Sequence, residues 1–149
     1  MKARAIATVA LLGLLAGCAP STPATSTATV TVGTHQFQVQ VADTADEQRA
    51  GLSGRPEVPK GTGMLFTFAG RPERQVWMAG MQTRIDAAWI VDDQVLAIET
   101  LDPCTMTDQS TCPRWTSPSD VDALLEVPAG ALEGVPVGET ITIREDTTP

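Results

Sequence analysis

The chain has 149 residues, with 18 acidic side chains against 10 basic ones and a formal net charge of −8. So acidic a chain repels phosphate backbones and has no basic patch to hold anionic lipid, which argues against nucleic-acid binding and against an electrostatic membrane contact. A single histidine and three cysteines do not make a zinc cluster.

Lys2 and Arg4 open the chain, and Ala5 to Ala16 follow as an apolar run broken only by Thr8. A positive start, a short apolar core and a small-residue end make a secretory signal peptide. The run falls short of the about 20 apolar residues that a membrane span needs. Leu15-Ala16-Gly17-Cys18 then looks like the lipobox of bacterial lipoproteins, whose cysteine thiol receives a diacylglycerol before cleavage. The alternative is an ordinary signal peptide with an incidental cysteine. The lipobox reading predicts a signal peptide over 1–17 and a mature protein that begins at lipidated Cys18. It would be exported and held on the outer face of the cell membrane, or on the periplasmic side of an envelope membrane. Two acyl chains make a stable anchor where one would be marginal. Loss of Lys2 and Arg4 takes the net charge from −8 to −10. Residues 18–29 are small, uncharged and rich in Pro, Ser and Thr, which predicts a flexible tether.

Residues 30–145 are one domain's length of chain, with 146–149 expected as a disordered tail. Val30 and Val32 precede Gly33-Thr34, and Gln36 to Val41 alternate polar with apolar, so the domain opens on a hairpin. Thr44-Ala45-Asp46-Glu47 fits a capping box and predicts a short helix to about Leu52. Strands are predicted at Met64 to Phe68, Gln75 to Met78, Ala87 to Val91, Gln94 to Leu101, Leu124 to Val127 and Thr140 to Ile143. Asp92-Asp93 forms a second hairpin turn, and Ala129 to Glu133 one helical turn. About eight short strands with turn residues between them predict a mainly β, compact single domain, either a sandwich of jelly-roll type or a barrel. With Cys18 lipidated, Cys104 and Cys112 are the two cysteines left. Export places them where disulfides persist, so a bond closing the Pro103 to Pro113 loop is expected.

Several pieces then occur together in order: Gly51-Leu52, Gly63-Met64-Leu65-Phe66-Thr67-Phe68, Trp77-Met78, Asp86, Pro103-Cys104, Cys112-Pro113 and Leu125-Glu126-Val127-Pro128-Ala129-Gly130. This combination resembles the bacterial and archaeal family known as domain of unknown function 192. The resemblance implies a compact, mainly β fold akin to a jelly roll with one short helix, often in exported proteins, and it implies no established activity. Members of that family usually carry Lys-Asn-Thr after the Trp-Met pair, where this chain has Ala79, Gly80 and Met81. Their Pro-Leu-Asp is here Arg84-Ile85-Asp86.

The residues that carry chemistry are few. His35 has no nucleophile near it in sequence, so no catalytic residue is assigned and an enzyme is the less favoured class. Asp86, Asp122 and Glu126 would make a carboxylate hydrolase only if they converged. Met78 and Met81, with Met64 and Met106, are soft ligands of the kind that suit Cu(I), or else they fill core gaps. No metal or other cofactor is otherwise expected. Arg49, Arg55 and Arg84 are candidate clamps for a carboxylate or phosphate, or partners of nearby acids. The expected ligand site gathers Trp77, Asp86, Arg84, Trp115 and Ser117, with Gly80 leaving the backbone open to close approach. The favoured class is a tethered small-ligand-binding or envelope accessory module. A structural or protein-interaction module, with an envelope protein as partner, is the alternative.

Overall fold

A computed structural model describes residues 26–70 and 72–146. The expected signal peptide over 1–17, Cys18, residues 18–25 of the expected tether and residues 147–149 of the expected tail lie outside these residues.

The first hairpin forms where alternation predicts it, with β1 (Thr27–Val32) and β2 (His35–Ala42). Strand β1 starts before the expected domain boundary, so Thr27, Ala28 and Thr29 are sheet and not tether. Ala28 is fully buried, Thr27 to Thr29 pair with β2, and β-branched threonine suits a pleated strand. Likewise Asp146 is held at the sheet edge: its N–H donates to the Thr27 carbonyl, and its carboxylate accepts from the Thr29 hydroxyl. Helix α1 (Ala45–Ala50) carries the expected capping box, with Thr44 accepting from the Glu47 N–H and Glu47 reaching back to the Thr44 N–H. Strand β3 (Thr62–Thr67) follows, then β4 (Gln75–Trp77), β5 (Ile85–Val91) and β6 (Gln94–Leu101). Asp92 and Asp93 both have positive φ, 51° and 57°, as a two-residue hairpin turn of this hand requires. Strand β7 (Arg114–Thr116) escapes the sequence pattern because three residues show no period. Strands β8 (Ala123–Pro128) and β9 (Ile141–Glu145) complete the set. Residues 129–134 form consecutive turns instead of the expected helical turn.

Seven strands make one sheet in the order β6-β5-β8-β3-β2-β1-β9, and β4 pairs with β7 as a separate ribbon. Strands β2 and β3 are parallel, and the other pairs antiparallel. The sheet curls until its ends touch: the Val95 N–H donates to the Glu139 carbonyl and the Gly138 N–H to the Val95 carbonyl. This is a half-barrel, so a barrel-like sheet and not two facing sheets is what the strands build. Inside the curl, Val30, Val39, Leu65, Ile90, Leu125 and Val127 belong to one apolar cluster. On the outer face of β3, β8 and β5, Met64, Phe66, Leu124, Ala87 and Trp89 belong to a second. Leu52 after α1 and the Met78–Met81 segment cover that second cluster. Strand β5 is buried almost end to end because apolar layers lie on both of its faces.

Candidate functional site

Period two sorts β8 between the two layers. Leu125 and Val127 point into the curl, while Leu124 and Glu126 point to the outer face. Glu126 therefore stands among the residues of the second core, opposite Ala87 on β5 and Met64 on β3. It is only 4% exposed, and no hydrogen bond or ion pair joins its carboxyl to any described residue. Burial alone pushes the carboxyl up to about 8, so the acid is neutral at neutral pH.

The carboxyl faces a cavity of about 330 Å³. Phe66, Trp77, Met78, Met81, Trp89 and Leu124 supply its apolar lining. Glu126 is buried, so it forms the floor. Arg49 on α1, Arg74 before β4 and Arg114 on β7 also line the cavity, and Arg49 and Arg114 are exposed, which puts them at its mouth. Arg74 stacks on Phe68, its guanidinium carbon 4.4 Å from the ring centre. Arg114 stacks on Trp77 at 4.3 Å. Such stacking holds a cation in place while leaving its N–H edges available. Arg49 has a carboxylate partner, Asp46 at 2.8 Å. Arg74 and Arg114 have none among the described residues, and the Arg74 Nε is buried without a hydrogen-bond partner.

Local chemistry builds the walls. The Gln48 side chain donates to the Thr67 carbonyl, which ties α1 to the end of β3. Gly80 is left-handed (φ +72°), and the space a side chain would fill belongs to the Ser53 hydroxyl. Ser53 donates to the Ala79 carbonyl at 3.1 Å, and the Gly54 N–H to the Gly80 carbonyl at 2.9 Å. The open backbone at Gly80 thus receives a neighbouring loop, not a ligand, contrary to the sequence expectation. Cys104 and Cys112 form the expected disulfide, with Cα atoms 5.8 Å apart. The Cys104 N–H donates to the Met78 carbonyl, so the cysteine loop is fastened to the cavity wall two residues before Arg114 enters β7.

The five residues expected to share a site do not share one. Trp77 lines the cavity. Trp115, half-buried on β7, packs against the second core beside Val76. Ser117 is buried and structural: its hydroxyl accepts from the Arg74 N–H and donates to the Ser119 carbonyl, fixing the strand that carries Arg74. Asp86 and Arg84 lie elsewhere, along a separate shallow depression with Thr100 and Leu132. Asp86 is next to Ala87 on β5 and so points to the face opposite Glu126. Its two oxygens accept from the Thr100 hydroxyl and the Leu132 N–H, which anchors the turns after β8. Arg84 pairs with Asp102 at the surface, 2.6 Å away.

The alternation of β5 and β8 therefore separates Asp86 from Glu126. Asp122 lies outside the cavity lining and accepts from the Asp92 N–H, so the three carboxylates do not converge. Of the methionines, Met64, Met78 and Met81 are buried in the second core, while Met106 is 55% exposed and apart from them. Among the described residues no cluster of His, Cys, Asp and Glu has metal-binding geometry.

The sequence reading missed the cavity arginines, and it took Glu126 only as one of three acids that would have to converge. Arg74 and Arg114 follow turn residues in short stretches with no periodicity. Glu126 sits in an apolar strand, and this was the available signal: a lone acid at an inward position, Leu-Leu-Glu-Val, needs a reason to be buried.

Fold and cavity together define a small half-barrel β protein with an acid-floored pocket on the outer face of its sheet. The chain belongs to the domain of unknown function 192 family, described as Uncharacterized ACR, whose model matches residues 28–143. Two crystal structures share the fold. One is a Sinorhizobium meliloti 1021 protein described as a candidate transcription regulator. It is 23% identical, with a TM-score of 0.69 over 80% of this chain and 94% of that one. The other is a Novosphingobium aromaticivorans DSM 12444 protein of unknown function, 25% identical, with a TM-score of 0.65 over 78% of this chain and 83% of that one. No curated protein matches the chain.

Proposed function

We propose that this protein is an exported lipoprotein whose domain binds a small molecule in the Glu126 cavity. One observation carries the reading: Glu126 is a residue only 4% exposed, its carboxyl lines a cavity of about 330 Å³, and no hydrogen bond joins that carboxyl to any described residue. Holding a carboxyl among apolar side chains costs free energy that an apolar residue would not. Packing alone would favour an apolar residue in its place, so a bound partner is the reason to retain it. An apolar cavity with few convergent polar groups is the usual form of a small-molecule site. The address comes from Lys2, Arg4, the apolar run to Ala16 and the Leu15-Ala16-Gly17-Cys18 sequence. Lipid on Cys18 would hold the domain at a membrane surface, where an acidic domain has no attraction of its own.

The test is a fragment screen on the whole protein in detergent micelles, read by NMR of the Met78 and Met81 methyl groups and the Trp77 and Trp89 indoles. Fragments that shift these signals together and saturably support the reading. A screen that never perturbs them, including fragments of each charge class, rejects the cavity as a binding site.

A further inference from the structure

The cavity's mouth says what class of molecule enters. The chain is acidic overall, at −8. Two of the described arginines are matched to an acid, Arg49 to Asp46 and Arg84 to Asp102, and Arg55 is bonded to the Gln40 side chain. Arg74 and Arg114, like Arg144, have no carboxylate partner among the described residues. What sets these two apart is that each is held against an aromatic ring and both line the one cavity. The Arg74 backbone is itself fixed, its N–H on the Ser117 hydroxyl and its carbonyl accepting from the Ser117 N–H. Two positioned guanidiniums without a carboxylate partner, lining one largely apolar pocket, make an anion clamp.

The charged groups that line the cavity with Glu126 are Arg49, Arg74 and Arg114. Burial raises Glu126, and none of these arginines is bonded to it. At the floor it is therefore an O–H donor, not a second charge.

Resting on the proposed binding role of this cavity, we infer that its ligand is a small amphipathic anion. Its carboxylate or phosphate sits between Arg74 and Arg114, its apolar body lies against Trp77 and Met78, and a hydrogen-bond acceptor farther along it accepts a hydrogen bond from the Glu126 carboxyl. A cationic ligand would meet two arginines at the entrance. An uncharged one would leave them unused.

Matched probes test this on the whole protein in micelles: hippurate, hippurate methyl ester, phenethyl phosphate and phenethylamine, each titrated while the Met78 and Met81 methyl signals are followed. Hippurate or phenethyl phosphate should bind at least ten times more tightly than the ester, and the amine should bind weakest. Which of the two anions binds tighter distinguishes a carboxylate from a phosphate ligand. Arg74→Gln and Arg114→Gln should each weaken the anions about tenfold, or about 1.4 kcal/mol, and leave the ester unchanged. If the ester or the amine binds as tightly as the anions, the anion inference fails and the cavity's binding role stands. If none of the four probes reaches the methyl signals, the inference fails, and the wider fragment screen decides the binding role separately.

Discussion

Gly63 and Glu126 approach so closely that a Cβ on the glycine would stand 2.2 Å from the Glu126 carbonyl oxygen and 2.9 Å from a Val127 methyl carbon. The obstacle is backbone, which cannot rotate aside. The absence of a side chain at residue 63 lets β3 lie against β8 where the floor acid is carried. Gly63→Ala should therefore cost at least the upper end of the about 1–3 kcal/mol typical of overpacking. Urea unfolding measures it. A midpoint equal to wild type would mean that β3 and β8 are not packed this closely.

Stability should depend on pH through Glu126. Below its ordinary value of 4.5 the carboxyl is protonated in both folded and unfolded chains. Between 4.5 and about 8 the unfolded chain releases the proton and the folded chain keeps it. The folded state then binds more protons, so stability falls as pH rises through this window, by about 1.4 kcal/mol per unit and about 5 kcal/mol in all. Glu126→Gln should flatten that fall and be the more stable protein at pH 8. The acid side belongs to other groups. Hydrogen bonds from the Thr44 hydroxyl and N–H hold Glu47 below 4.5, and those from Ser110 hold Asp108 below 3.8. Their contribution is lost as pH falls through these lowered values, in the variant and the wild type alike. Parallel curves for the two proteins between pH 4.5 and 8 would contradict the account.

The disulfide should support binding as well as folding. It closes the loop between the Met78 wall and β7, where Arg114 stands. Replacing Cys104 and Cys112 together by Ala should cost about 2–3 kcal/mol in loop entropy. The same double variant should weaken hippurate binding. Wild-type affinity in the variant would show that Arg114 is positioned without the bond, and two alkylatable thiols in the native protein would show that the bond is absent.

On the proposed lipoprotein reading, anchoring depends on Cys18. The Cys18→Ala chain should accumulate as unlipidated precursor, visible by mass spectrometry. If it matures to a protein of the wild-type mass and stays with the membrane fraction, lipid on Cys18 is not the anchor.

The regular parts of the fold were legible because local signals and burial agree. The alternation from Gln36 to Val41, the Thr44–Glu47 capping box and the Asp92-Asp93 turn each specify their element alone. The cavity was not legible, because it depends on which face of the sheet each residue takes. Asp86 and Glu126 both read as acids in strands, and only the pairing of Ala87 with Glu126 puts them on opposite faces. Trp77 pairs with Arg114 and Trp115 with Val76, so the two tryptophans take opposite faces of a three-residue ribbon with no periodicity to announce it. Arg74 and Arg114, 40 residues apart in the chain, come to line one cavity through that same ribbon.

Ligand binding as proposed turns on a neutral acid at the floor of the pocket. The direct measurement is a titration of the Glu126 side-chain carboxyl carbon by NMR in the whole protein. The account predicts a midpoint near 8, with Glu47 in the same sample titrating below 4.5. A Glu126 midpoint near 4.5 would mean an ionised carboxylate, and would contradict both the neutral floor and the hydrogen bond it is meant to donate.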